Sequence, residues 1–336
     1  MSAVAQARPD GVADPATPLL EVEGLRKHFR VTRGVVRRET VTVRAVEDVS
    51  FRIRPGQAFG LVGESGCGKS TAARALLRLV EPDGGSVRFR GEDVLAARGA
   101  ALTRLRRRLQ IVFQDPYSSL NPRQTVGEAL TEPMRVHGLA HGAAARDRAA
   151  ALLEEVGLPP AALRRLPHEF SGGQRQRIGL ARALALEPEL IVADEPVSAL
   201  DVSVQAQVLL LLRELQARRG LAFLFVSHDL SVVRWFCERV AVMYLGRIVE
   251  EGPAARVLAE PLHPYARMLR DASPIPDPER RGQLPRIVGE IPSAANPPPG
   301  CPFHTRCPHV MPVCRTVMPG WTAAGDGGGV ACHLHS

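Results

Sequence analysis

Apolar residues recur along the chain with two different periods. In "LLEVEGLRKHFRV" and "VTVRAVEDVSFRIRP" they alternate with polar ones in short β-branched runs, which predicts antiparallel strands joined by a basic, Gly-containing loop. "QAFGLVG" reads as a buried strand. From Ser70 the stretch "STAARALLRLV" takes a helical period and stops at the turn residues of "EPDGG". Between Leu102 and about Leu166 the chain turns helical and rich in Ala and Arg, with "GEALTEPMRVHG" and "ARDRAAALLEEVGL" as helices, so a helical insertion is expected. Strand and helix then alternate through "ELIVADEP", "SVQAQVLLLLREL", "LAFLFVSHDL" and "SVVRWFCERVAVMYLG", the rhythm of parallel βα units in an α/β fold. Beyond Gly252 the residues shift to Pro, Cys and His, and a second, small domain without obvious regular structure is expected there. No internal repeat is found.

The 336 residues suffice for one large domain and a smaller one. With 45% hydrophobic and 23% charged residues the chain can bury a sizeable core, yet no apolar run nears the roughly 18–20 residues of a membrane span. The start, "MSAVAQARPDGVADPATPLL", fails as a secretory signal and reads as a loose tail, so a cytoplasmic location is expected. A net charge of +8 admits nucleic acid, anionic lipid or a polyanionic ligand. The basic groups "VTRGVVRRETVTVR" and "RLRRRLQ" lack the interleaved aromatics that stacking on bases needs, so they read as solvated faces and no nucleic-acid partner is expected.

"VGESGCGKST" supplies the chemistry. Gly63, Gly66 and Gly68 leave room for backbone N–H groups to curl round a phosphate, and the following helix points its positive end at the same place. Within that loop, which also holds Glu64, Ser65, Cys67 and Thr71, Lys69 can reach the β and γ phosphates and the Ser70 hydroxyl can ligate Mg²⁺. "LIVADEP" offers Asp194 at a strand end as the acid on the metal side. Glu195, one residue further, can face the γ-phosphate and polarise water. "EFSGGQRQR" puts Ser171, Gly172, Gly173 and Gln174 ahead of a helix, a second place that favours an anion. "VFQDP" sets Gln114 just after one strand, and "FVSHD" ends another with His228, which taken alone is better explained as a structural histidine.

The ordered set of phosphate loop, Gln114, "SGGQ", "DE", "SALD" and His228 resembles the ATP-binding-cassette (ABC) ATPases over about Leu19 to Gly252. That resemblance implies a P-loop fold with a RecA-like core, an antiparallel β subdomain and a helical subdomain at about 115–185. It also implies two cassettes head to tail, so that Lys69, Ser70, Gln114, Asp194, Glu195 and His228 of one face Ser171 and Gly173 of the other across ATP. Gln114 would join Ser70 and Asp194 on Mg²⁺, and Phe29 falls where an aromatic stacks on adenine. Phe170 and Val197 replace the family's usual Leu and Thr, without removing a catalytic group.

"VFQDPYSSLNPR", "PHEFSGGQRQR", "HPYARML" and "GEIPSAANPPPGCPFHTRC" resemble the ATPase subunits of bacterial dipeptide and oligopeptide importers, the second of their two paralogous ATPases above all. The divisions implied are a tail over 1–18, an ATPase domain over 19–252 and a C-terminal extension over 253–336. The likeness further implies a paralogous partner cassette, two membrane permeases, an external binding protein and attachment to the cytoplasmic face of the cell membrane. "DPYSSLNPR" is the candidate permease contact. Nickel, glutathione or another small solute is the alternative cargo, and a soluble ABC ATPase the alternative class.

Of six cysteines, Cys301, Cys307, Cys314 and Cys332 lie near the end, spaced C-x₅-C-x₆-C-x₁₇-C. In a cytosolic protein such clustering argues for metal over disulfides, and four thiolates suit Zn²⁺ or an iron–sulfur cluster. The importer likeness implies a [4Fe–4S] cluster on these four. Cys67 reads as a small space-filler and Cys237 as core.

Overall fold

The computed structural model describes residues 17–33, 39–115, 119–272 and 289–336. All but the last two positions of the expected 1–18 tail, and Pro116, Tyr117 and Ser118 of the "DPYSSLNPR" stretch, lie outside the described residues.

The parallel core is built from β3 (Ala58–Val62), β6 (Leu109–Val112), β7 (Leu190–Asp194), β8 (Ala222–Ser227) and β9 (Arg239–Tyr244), in the order β9-β3-β8-β7-β6. Every residue of β3, β7 and β8 is buried, because helices cover both faces of a central parallel strand. Gly60 in β3 permits this closeness, since a Cβ there would stand 2.7 Å from Val233 Cγ1.

Beyond β9 the sheet turns antiparallel. β10 (Arg247–Pro253) pairs with β9, and touches β2 (Glu39–Ile53), which pairs with β1 (Leu20–Arg33). β4 (Gly84–Phe89) and β5 (Glu92–Asp93) complete that side. The alternating apolar positions of β1 and β2 face inward and close a second apolar cluster over the parallel strands, where Phe51 stacks on Phe59 with centroids 5.0 Å apart.

The helices are α1 (Lys69–Leu76), α2 (Gly99–Arg108), α3 (Val126–Val136), α4 (Gly142–Glu155), α5 (Gly172–Leu184), α6 (Val202–Arg219), α7 (Leu230–Phe236), α8 (Ala254–Ala259) and α9 (Pro264–Ala272). The helical lobe consists of α3 and α4 leaning on α5. Thr125 and Glu128 form a capping box at the start of α3, and the helix continues through Pro133.

The C-terminal region has more regular structure than its composition suggests. Besides α8 and α9 it forms a hairpin of β11 (Thr322–Ala324) and β12 (Gly328–Val330), and β12 extends the main sheet by pairing with β10 at Glu250↔Val330 and Glu251↔Gly329. Tyr265 and Phe303 pack on Tyr244 of β9 with centroids 4.5 and 5.4 Å away, so these two rings of the segment are buried in the main core, while Trp321 and Met318 stay exposed. Burying such side chains is worth about 1.5–3 kcal/mol each. Among the described residues no helix is long and apolar enough to cross a membrane.

Candidate active site

The loop between β3 and α1 turns through backbone conformations that require glycine. Gly68 has φ 109° and a Cβ there would meet Ala45 O at 2.0 Å; Gly63, at φ 154°, would drive one to 2.2 Å from Met243 O. Gly66, with φ 80°, faces open space. Beneath the loop Cys67 is buried, and burial pushes its thiol up although Lys69 beside it pulls the other way. Lys69, itself only 4% exposed, donates to Gly63 O (2.7 Å) and Glu64 O (3.0 Å).

Opposite the loop, β7 ends on two acids that face different ways. Asp194 is fully buried, and Ser70 Oγ donates to its Oδ1 at 2.7 Å. Its Oδ2 makes no hydrogen bond among the described residues; the nearest cation is Arg74, at 3.6 Å. Burial pushes this carboxyl up, while Ser70 and Arg74 pull it back down. Glu195 takes φ 47°, a left-handed conformation that a residue with a side chain adopts at a cost of roughly 1–2 kcal/mol. That turn lets its carboxylate accept from Gln114 Nε2 (3.0 Å) and lie 3.2 Å from His228 Nδ1.

A cleft of about 520 Å³ is walled by Ser65, Gly66, Gly68, Lys69, Ser70, Thr71, Gln114, Glu195 and His228, and by Val43, Ala45 and Ala294, with Asp194 buried behind Ser70. A buried carboxylate with one oxygen to spare, a hydroxyl on its other oxygen and glycine N–H groups around a lysine fit a phosphate chain with a divalent cation. Ser171 to Gln174 lie outside this cleft. There Ser171 caps α5, its Oγ accepting from Gln174 N–H at 3.3 Å, and Gly173 allows α6 to approach, because a Cβ would meet Val204 Cγ1 at 2.2 Å. Phe29 is also outside, on β1 opposite Val43, with Lys27 Nζ 5.3 Å from its ring centroid.

Two residues holding the loop escape sequence reasoning. Glu64 N–H donates to Tyr265 Oη at 2.8 Å, and the Glu64 carboxylate receives both terminal nitrogens of Arg306, at 2.8 and 3.0 Å. Both partners sit in motifs noted above, "HPYARML" and "CPFHTRC", but nothing in their spacing connects them to a loop 201 and 242 positions earlier.

The four C-terminal cysteines lie near one another: Cys314 and Cys332 bear on the Cys301 and Cys307 thiols, and Cys314 on that of Cys332. Burial, and then Cys314, Cys332 and Cys307, push Cys301 up to about 11, and burial likewise raises Cys307 and Cys332. Among the described residues, however, no three His, Cys, Asp or Glu side chains stand in a geometry that would ligate an ion. This departs from the ligand set expected of the sequence: burial favours the neutral thiol at Cys301, Cys307 and Cys332, and neutral thiols have no charge to draw them to ligand spacing. Cys237 is buried, as its place in an apolar run suggests.

A model of the ABC transporter family matches residues 46–198, and one for the oligopeptide/dipeptide transporter C-terminal region matches residues 249–314. The chain is 53% identical to the putative oligopeptide transport ATP-binding protein YkfD of Bacillus subtilis, over 95% of this chain and 96% of that one. It is 52% identical to a putative peptide import ATP-binding protein of Brucella ovis, over 90% of this chain and 93% of the relative. Among solved structures, the dimeric ATP-binding cassette MJ0796 bound to ADP and Pi matches with a TM-score of 0.60 and 28% identity, covering 70% of this chain and 98% of that one. CbiO1 of Clostridium perfringens, part of the transporter complex cbiONQ, matches with a TM-score of 0.60 and 26% identity, over 72% of this chain and 91% of that one.

Proposed function

The chain belongs to the ATP-binding subunits of ABC transporters that carry the oligopeptide/dipeptide C-terminal region, and from that premise we propose that it hydrolyses ATP to drive peptide import through membrane permeases. The observation that carries the ATPase reading is the split between adjacent acids: Asp194 buried with Ser70 on one oxygen, Glu195 turned into the cleft.

In this reading the glycine loop and Lys69 bind the β and γ phosphates. Mg²⁺, held by Ser70, Asp194 and Gln114, supplies charge neutralisation on the phosphates when bound. Glu195 orients and polarises the attacking water, and His228, 3.2 Å from its carboxylate, keeps it aimed. Phe29 borders the adenine. Ser171, Gly172, Gly173 and Gln174 serve a second cassette's nucleotide, which fits their lying outside this chain's own cleft. That second cassette is a paralogue, the pair docks on two permeases at the cytoplasmic face of the cell membrane, and a binding protein outside delivers the peptide. The MJ0796 dimer supports the paired arrangement by analogy.

Gentle detergent extraction of native membranes with this chain tagged, followed by mass spectrometry, tests the assembly. Two multi-span permeases and a second cassette are expected; a chain that stays soluble without them overturns the import reading and leaves the ATPase one.

The clustered thiols support a second proposal, that Cys301, Cys307, Cys314 and Cys332 hold a thiophilic centre, a [4Fe–4S] cluster or Zn²⁺, once deprotonated. Iron, sulfide and zinc analysis after anaerobic purification decides it, and finding none of the three ends it.

A further inference from the structure

The phosphate loop is tied down from outside the ATPase core. Three of its glycines hold conformations with positive φ, and glycine gives up more freedom than any other residue when it is ordered. Such a loop gains from external support, and Arg306 supplies it. Its side chain is only 1% exposed, and its guanidinium lies 5.9 Å from the ring centroids of both Tyr244 and Phe303. From this nest its two terminal nitrogens reach the Glu64 carboxylate in a bidentate pair. Tyr265 adds the bond to Glu64 N–H, and Ala294 O, at the far wall of the cleft, accepts from Arg44 N–H at 2.9 Å. Residues far along the C-terminal region therefore hold the phosphate loop at Glu64 and form part of the cleft wall at Ala294.

We propose that Arg306 is a positioning residue for ATP binding: by clamping Glu64 it holds the phosphate loop in its phosphate-receiving curl, so that the C-terminal region is a working part of the nucleotide site. The inference rests on the ATPase reading above. Glu64 belongs to the phosphate loop and its carbonyl accepts from Lys69, so without Arg306 an uncompensated carboxylate is left on the loop that must receive an anion. Loss of the clamp thus acts twice, by loosening the loop and by adding repulsion. Charge-assisted hydrogen bonds of this kind are typically worth enough to change an affinity about tenfold or more.

The test titrates the magnesium complex of a non-hydrolysable ATP analogue into the full chain by calorimetry, with thermal melting of each variant alongside. Arg306→Gln is expected to raise Kd about tenfold, and Arg306→Lys, which keeps the charge but loses the bidentate fork, to fall between it and wild type. Glu64→Gln added to Arg306→Gln is expected to cost nothing further and to recover part of the loss, because the stranded carboxylate is gone. Leu153→Ala opens the buried core of α4, away from Arg306, Glu64 and the cleft, so it is expected to lower Tm and leave Kd within twofold.

A folded Arg306→Gln within twofold of wild type overturns the proposal. So does a Leu153→Ala variant whose Kd rises as much, since that makes the effect one of general stability. Should Arg306→Gln fail to fold, Arg306→Lys decides by the same twofold limit. Wild-type protein that fails to bind the analogue overturns the ATPase reading itself, and this proposal with it.

Discussion

Ser70 Oγ donates to Asp194 Oδ1 at 2.7 Å, joining the first turn of α1 to the end of β7 across 124 positions of chain. Each of the two thereby fixes the other's rotamer. Among the described residues Asp194 Oδ2 is buried and without a hydrogen bond, Arg74 standing 3.6 Å away, a costly state for a polar atom unless a ligand relieves it.

Replacing Asp194 with Asn tests that relief. The amide keeps the shape and can still accept from Ser70, but removes the charge, so affinity for the magnesium complex of ATP is expected to fall at least tenfold. Affinity for ATP in chelator is expected to change much less. Calorimetric titration with and without Mg²⁺ reads the difference; equal losses in both would remove Asp194 from the cation's side.

Glu195→Gln separates binding from turnover. Gln keeps the contacts to Gln114 and His228 in altered polarity but cannot polarise water as a carboxylate does. Hydrolysis in the assembled transporter is expected to drop by about 10²–10⁴-fold, with ATP binding retained. A single-turnover phosphate-release assay checks it, and near wild-type turnover would give the base role to another group.

The loop glycines are expected to differ in tolerance. At Gly68 an added Cβ collides with Ala45 O at 2.0 Å as well as straining φ 109°, and backbone cannot step aside. At Gly66 the Cβ meets nothing, so only the left-handed strain of about 1–2 kcal/mol applies. Gly68→Ala should lose nucleotide binding and destabilise the fold by well over the strain cost alone, whereas Gly66→Ala should lose no more than that cost of about 1–2 kcal/mol. Melting curves of the two variants rank them directly.

The contrast between what the sequence carries openly and what it conceals follows from range. The phosphate loop, the Asp194–Glu195 pair and the Thr125–Glu128 cap depend on spacing within a few residues, and each is legible as a short motif. The pairing of the strands is legible as period, because β1 and β2 are long and alternate. The tie between Arg306 and Glu64 has no local signature, since it joins residues 242 positions apart. Nor do β11 and β12, of three residues each, extend far enough to leave a period in so Gly- and Pro-rich a stretch. The same range explains why the C-terminal region reads as a separate unit: its apolar residues are too few for a core of their own, and the core they join lies on β9.

His263 gives that junction a pH dependence. It is 1% exposed, its ring Nδ1 accepts from Tyr265 N–H at 3.0 Å, and its backbone N–H donates to Glu250 Oε2 at 2.8 Å. Burial first, then His335 and Arg267 nearby, push its pKa from 6.5 down to about 3. A histidine with a depressed folded pKa stays neutral in the fold, while the unfolded chain takes up a proton below about pH 6.5. Its contribution is therefore complete above about pH 6.5 and is lost progressively as pH falls toward 3, at about 1.4 kcal/mol per pH unit. His263→Asn keeps an acceptor for Tyr265 N–H but cannot titrate. Between pH 7.5 and pH 5.0, urea unfolding of the wild type is expected to lose about 2 kcal/mol more stability than the variant. Equal losses would mean that His263 takes up its proton without opening the junction between α9 and the sheet.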